Sequence, residues 1–184
     1  MPTIEFATHK DKPRVLEITD AVDIFTSVER DCVEELWDAY QYMDEAGGYV
    51  FLIYRNAGRV LGYACFGRHS LTDGAFDLYW IAVDPAAQGR GIGRALLARV
   101  EAEIRYRNGY LVVVETSSAP PYAAARQLYQ SSGYQCEAVI HDFYGRGDHL
   151  QVFVKDLALE PQGGVATLEC AGVPDAPLLQ IGER

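Results

Sequence analysis

The residues Gln88-Gly89-Arg90-Gly91-Ile92-Gly93-Arg94-Ala95 put three alternating glycines and two arginines into one short stretch. Glycines let the chain turn sharply into a helix while main-chain N–H groups, unscreened by side chains, converge, and a concave array of that kind suits a diphosphate. Two familiar nucleotide loops do not fit. A dinucleotide fingerprint G-x-G-x-x-G/A would put Arg94 in its last place counted from Gly89, and Leu96 counted from Gly91. A nucleoside-triphosphate loop needs a Gly-Lys-Ser/Thr that does not follow. The array therefore reads as the seat of another phosphorylated cofactor. Arg90, Arg94 and Arg99 lie close by, either as a solvated helix face or as added attraction for phosphates, a coenzyme's ribose phosphate included.

Glu115 is the second residue with chemistry to offer. It ends the apolar run Leu111-Val112-Val113-Val114, where a carboxylate is costly unless it faces a cleft or a partner. Partly desolvated in a cleft, such a carboxylate could accept a proton. The other reading is a structural carboxylate capping the turn Thr116-Ser117-Ser118, and Asp77 is the reserve candidate for a base. No cysteine or serine stands with a histidine in a nucleophile setting. Cys32, Cys65, Cys136 and Cys170 are far apart, and His9, His69, His141 and His149 are equally scattered. No metal site is expected; the cysteines should be reduced, and the first three should be small core residues.

These groups need elements to hold them. An apolar strand, 75–83, leads into the glycine loop and is ended by Asp84-Pro85, since proline lacks a ladder N–H and presets a turn. After the loop, Ile92, Leu96, Leu97, Val100 and Ile104 recur at helical spacing to about residue 107, where Asn108-Gly109 caps the helix. Upstream, residues 15–18 read as a first strand after a polar arm. Thr26 and Glu29 form a capping box for a helix with the buried stripe Val28, Cys32, Val33, Leu36, Trp37 and Tyr40, ended by Gly47-Gly48. Runs 49–54 and 60–67 read as a hairpin. Downstream, 111–114 suits a strand buried on both faces. Helix 122–132 stops at Gly133, a good left-handed cap, and strands 136–141 and 150–155 flank a loop containing Phe143 and Tyr144. The expected fold class is mixed α/β: a twisted, mostly antiparallel sheet of six to seven strands flanked by helices. Residues 1–158 form one domain. Residues 159–184, broken by Pro161, Gly163, Gly164, Gly172, Pro174 and Pro177, read as a tail, disordered or draped over the surface, with partner docking as the alternative.

Ile81-Ala82-Val83-Asp84-Pro85 and the loop from Gln88 resemble the strand end and the Gln/Arg-x-x-Gly-x-Gly/Ala loop of the GCN5-related N-acetyltransferase (GNAT) superfamily. Leu128-Tyr129-Gln130-Ser131-Ser132-Gly133-Tyr134 resembles the same family's Leu-Tyr-x-x-x-Gly-Phe/Tyr at the end of its last helix. The resemblance implies the acyl-CoA N-acyltransferase fold, acetyl-CoA as co-substrate without a metal, and acetyl transfer to a primary amine by direct attack in a ternary complex. It also implies roles. Main-chain groups of Ile81, Ala82 and Val83 would meet the pantetheine arm and acyl carbonyl, and Gln88, Gly89, Arg90, Gly91, Ile92, Gly93 and Arg94 the diphosphate. Tyr129 would be the general acid for the departing thiolate. Glu115 would be the base, by similarity to the family's ribosomal-protein acetyltransferases. Tyr122 stands where the family commonly has an asparagine on the coenzyme, and it can still reach the pantetheine. Acceptor recognition in the family falls to the first helices and the last hairpin loop, which makes Phe25, Glu29 and Tyr144 the pocket candidates.

Composition narrows the partners. With 26 acidic against 16 basic residues and a net charge of −10, a broad basic face for nucleic acid is not expected. Asp20, Asp23, Glu29, Asp31, Glu34, Glu35, Asp38, Asp44 and Glu45 are opposed in their stretch by Arg30 alone, as a solvated face or as a draw for a cationic amine. No signal peptide and no apolar run approaching ~18 residues is present, so no membrane partner and a cytoplasmic home are expected. The partner is then a small-molecule or peptide amine, and a homodimer through a sheet edge is compatible with the fold. The alternatives are a non-catalytic acyl-CoA sensor or interaction module, transfer to a hydroxyl, and transfer of a longer acyl chain.

Overall fold

The computed structural model describes residues 1–42 and 48–158. Asp44, Glu45, Gly47, Cys170 and the expected tail 159–184 lie outside the described residues. The strands are β1 Thr3–Phe6, β2 Tyr49–Asn56, β3 Arg59–Arg68, β4 Ala75–Val83, β5 Leu111–Ser117, β6 Gln135–Gly145 and β7 Asp148–Asp156, and the helices are α1 Lys12–Ala21, α2 Ser27–Tyr42, α3 Ile92–Tyr106 and α4 Ala123–Ser131. The strands form a 7-stranded sheet in the order β1-β2-β3-β4-β5-β7-β6. Only the β4–β5 pair is parallel. The expected mixed, mostly antiparallel sheet flanked by helices is what the chain forms.

Two cores hold the layers. On one face the stripe Ile92, Leu96, Leu97, Val100 and Ile104 of α3 is buried against Leu52, Ala64, Phe66, Val112 and Val114. On the other, Val15, Ile18, Val33 and Trp37 of α1 and α2 cover Phe51, Ile53, Tyr63 and Cys65. Each such side chain removed from water contributes about 1.5–3 kcal/mol. The one buried phenol on this second face keeps a partner, Tyr63 sharing a 2.7 Å hydrogen bond with Thr19.

Several local expectations are corrected. Residues 15–18 belong to helix α1, not to a strand: Pro13 sits in its first turn, where it is tolerated, and Val15, Ile18 and Thr19 make its buried face. The polar arm before them contains strand β1, whose Thr3 to Phe6 pair with Arg55 to Leu52. Arg55 fastens that edge through Glu5 at 2.7 Å and Asp11 at 2.8 Å. The capping box at Thr26 forms, with Glu29 accepting from Thr26 N–H at 2.8 Å and Thr26 Oγ1 accepting from Glu29 N–H at 3.2 Å. Only Val33 and Trp37 of the proposed stripe are fully buried there. Val28 and Cys32 face solvent, so Cys32 is not a core residue, while Cys65 is buried and Cys136 is half-buried. Strand β5 runs on to Ser117 because β7 pairs with it as far as Leu150. Glu115 therefore lies inside the strand. Val112 and Val114 are buried under α3, and Leu111 and Val113 on the other face are only partly covered.

Candidate functional site

The site begins with a fault in the sheet. Strand β4 meets β5 over Ala75, Phe76 and Asp77 alone. Opposite, the register with β3 shifts between Cys65, facing Trp80, and Phe66, facing Leu78. The extra residue, Tyr79, makes a bulge that bends β4 away from β5. Beyond Asp77 the outer edge of β4 has no strand partner. A cavity of about 680 Å³ opens there, bounded by Ile81, Ala82 and Val83, the glycine loop, the segment after α1 and one side of α4.

The glycine loop follows the strand. Asp84 starts it: its carboxylate accepts from Ala86 N–H at 2.9 Å and pairs with Arg14 and Arg59. Burial pushes this carboxyl up, but the Ala86 N–H and the Arg14 guanidinium outweigh that and hold it below the ordinary value. Gly89 and Gly91 then take φ of +74° and +77°, a region that costs other residues energy. A Cβ on either would meet nothing within 4 Å, so the concavity in front of them is open. None of the main-chain N–H groups of residues 89–94 has an acceptor among the described residues, and the first helical bond of α3 runs from Ala95 N–H to Gly91 O. Bare donors at a helix N-terminus, where the macrodipole adds partial positive charge, fit a diphosphate. Gly93 differs. Its missing Cβ would stand 3.4 Å from Leu128 Cδ2, an ordinary packing contact, so at this position no side chain is excluded by space or backbone.

Of the residues singled out from sequence, Phe25, Ile81, Ala82, Val83, Gln88, Gly89, Gly91, Ile92, Gly93 and Arg94 line this one cavity. Gln88 has a task of its own: its amide donates to Val83 O at 3.2 Å and ties the loop to the strand end. Arg90 Nη2 donates to Ala86 O. Arg99 is neutralised by Glu103 at 2.9 Å. Phe25 packs edge-on against Trp80 with ring centroids 5.1 Å apart.

The rest stand around the cavity without lining it. Tyr122 donates its hydroxyl to Glu29 Oε1 at 2.8 Å, and its phenol is raised by burial and by that carboxylate. Glu29 Oε2 accepts from Thr26, so both oxygens of Glu29 are engaged. Tyr144 is half-exposed beside Phe143. Burial raises its phenol, and Glu115, Asp148 and Glu29 raise it further; this mouth is acidic. Glu115 is exposed on β5, two residues past Val113, the last partner of β4. Asp77, the reserve base, is within the paired stretch and is bonded to His69 at 2.7 Å. Tyr129 is 5% exposed in the core among Tyr134 and Phe153. Its phenol is raised by burial alone, and its hydroxyl has no hydrogen-bond partner among the described residues.

Sequence reasoning missed the far wall. Ala124, Ala125, Leu128 and Ser131 of α4 line the cavity, and their spacing of three to four residues is a signal a helical projection would have found. It also missed Arg14, which fell in the polar arm although it anchors Asp84. Among the described residues no group of three or more His, Cys, Asp or Glu could hold a metal ion, and no helix is long and apolar enough to cross a membrane.

The family model for the acetyltransferase (GNAT) domain matches residues 46–136. The chain is 31% identical over 145 residues to an L-methionine sulfoximine/L-methionine sulfone acetyltransferase of Salmonella typhimurium, covering 74% of this chain and 81% of the relative. It is 35% identical over 91 residues to the N-alpha-acetyltransferase RimI of Mycobacterium tuberculosis, a match spanning 49% of this chain and about half, 54%, of that protein. Among solved structures, one from Desulfovibrio desulfuricans assigned to the GNAT family superposes with a TM-score of 0.79 at 35% identity, covering 85% of this chain and 99% of that one. The structure of yncA from Salmonella typhimurium with its cofactor acetyl-CoA superposes at 0.69 and 27% identity, covering 90% and 99%.

Proposed function

Because this chain belongs to the GNAT family of acetyltransferases, we propose that it moves the acetyl group of acetyl-CoA onto a primary amine by direct attack in a ternary complex. The observation that carries the reading is the run of unbonded N–H groups at 89–94, opening into the same cavity as the free edge of β4. The loop holds the diphosphate. Residues 81–83 align the pantetheine arm beside an unpaired strand edge, as a further strand would lie. Acetyl-CoA supplies an activated acyl group, so the protein is left with orientation, charge and protons.

In this reading Glu115 takes a proton from the incoming ammonium, directly or through water. Its position past the last β4–β5 pair favours it over Asp77, which lies at the closed end and is engaged by His69. Tyr129 gives a proton to the departing thiolate; burial keeps its phenol protonated across the neutral range. The carboxylates that act on Tyr144, namely Glu115, Asp148 and Glu29, favour a cationic acceptor, either a small amine or an amine on a peptide. Glu29 contributes through its field, since Tyr122 and Thr26 occupy its oxygens.

The test is thiol release from acetyl-CoA across a panel of polyamines, peptide N-termini, lysine peptides and free amino acids. Release with one or more cationic amines is the expected result. Tight coenzyme binding with no release for any amine would make the chain an acyl-CoA sensor instead.

A further inference from the structure

We propose that His149, in its neutral form, is a positioning residue for the acceptor site: its ring holds the bulge that sets Tyr144 at the mouth, and the amine is bound less well once that ring takes up a proton. The inference rests on the acceptor reading above. The bulge lies in β6. Ile140 faces Leu150 and Gly145 faces Asp148, so residues 141–144 stand opposite His149 alone. Extra residues in one strand bend it and re-aim its side chains, and here they carry Phe143 and Tyr144 out to 55% and 51% exposure. Burial does not hold rings that far out, and the backbone beneath them decides where they stand. That backbone turns at Asp142, whose φ of +55° lies in the left-handed region that aspartate tolerates better than most residues.

Three hydrogen bonds tie Asp142 among the described residues. Its N–H donates to His149 Nδ1 at 2.9 Å. Gly147 N–H donates to Asp142 Oδ1 at 2.9 Å, and Arg146 Nη1 donates to Asp142 Oδ2 at 3.0 Å. Arg146 is 95% exposed, so its ion pair is worth little. His149 by contrast is anchored. Its N–H donates to Ser118 Oγ at 2.8 Å, its carbonyl accepts from Ser118 N–H at 2.8 Å, and its ring stands edge-on to His141 with centroids 4.7 Å apart.

A main-chain N–H only donates, so Nδ1 must accept, and the proton of the neutral ring sits on Nε2. Protonation puts a hydrogen on Nδ1 and sets two donors against each other. Asp142 Oδ1, 3.7 Å away, is the acceptor within reach of the new hydrogen, and to meet it the carboxylate must give up Gly147. Charges of both signs flank the ring. Asp142 and Asp148, the latter bonded to Ser117 Oγ at 2.5 Å, face His141, Arg146 and Arg126 of α4, which is turned onto Ser117 O and Ala119 O. The bulge is therefore whole above the titration of the ring and comes loose below it.

Nitrogen-resolved NMR of the full chain across the imidazole range, about pH 5 to 8, reads the tautomer directly. We expect the neutral His149 ring to carry its proton on Nε2, and the Asp142 amide resonance to move together with the ring as pH falls. A neutral ring protonated on Nδ1, or an Asp142 amide indifferent to the ring, would overturn the proposal. Kinetics follow by thiol release with the most active amine of the panel above. His149→Leu keeps bulk and removes the acceptor, so at about pH 8 it should raise KM for the amine about five- to tenfold, with kcat and coenzyme affinity within about twofold. His149→Asn puts an oxygen near the place of Nδ1 and takes up no proton. It should restore KM at about pH 8 and, toward about pH 6, lack the rise that the native chain adds to the ionisation of the amine itself. A native chain and Asn variant rising alike, or a Leu variant with unchanged KM, would also overturn it. Thiol release with no amine would instead sink the acceptor reading, and the positioning role with it, while the NMR result would still stand by itself.

Discussion

Tyr129 and Glu115 carry the two proton steps of the proposed reaction from opposite surroundings, one packed among aromatic rings and the other exposed on a strand. Tyr129→Phe keeps the ring and its packing, and no hydrogen bond is lost among the described residues, so fold stability and coenzyme affinity should hold while kcat falls. A drop within the ~10²–10⁴ range of acid–base help is expected, and unchanged turnover would reject the acid role. Glu115→Gln should lower the rate within that range most strongly below neutral pH, and the loss should shrink as pH climbs toward the amine pKa of ~10.4, where free amine no longer needs a base. A pH profile from 6 to 10 by thiol release decides it; a native profile would reassign the base. The Tyr122–Glu29 bond shows what a sequence hides: the two are 93 residues apart, and both were singled out for separate tasks. Nothing local to either residue says that they meet.

The glycine loop was readable because every determinant is adjacent in the chain: the Val-Asp-Pro strand end, the alternating glycines and the stripe of α3. Its glycines nevertheless do different work, and that difference can be measured. Gly91→Ala forces a side chain into a left-handed backbone at φ +77°, a cost of about 1–2 kcal/mol, and points a methyl group into the open concavity. Coenzyme affinity by calorimetry should fall more than about tenfold. Gly93→Ala lies in ordinary helix against Leu128 and should stay within a few-fold of native; equal effects at both positions would refute the assignment of the cradle. Helix α1 misled because Val15-Leu16-Glu17-Ile18 is too short to fix a period, and its identity is settled by what it covers. The length of β5 was hidden for a similar reason, since its end is set by Leu150 of β7 opposite Ser117.

Across the molecule, ion pairs fasten Asp84 at the head of the glycine loop and Asp11 beside the β1–β2 edge. Burial pushes the carboxyls of Asp84 and Asp11 up, but backbone N–H donors together with Arg14 and Arg55 bring both below the ordinary carboxylate value. A folded-state pKa below the unfolded value near ~3.9 means the contribution is full above that pH and is lost as pH falls through the folded pKa. Asp84→Asn should therefore destabilise on the order of 3 kcal/mol at neutral pH, with the gap to native narrowing below about pH 4. Urea unfolding at the two pH values checks both the size and the direction. The three residue pairs between β4 and β5 have a wider consequence. They are the entire ladder joining the first four strands to the last three, so a coenzyme lodged in the gap, as proposed, would also brace two half-sheets. By mass action a ligand at a hundred times its Kd adds about 2.7 kcal/mol to the stability of such a protein, which ties the lifetime of the folded enzyme to the supply of the molecule it consumes.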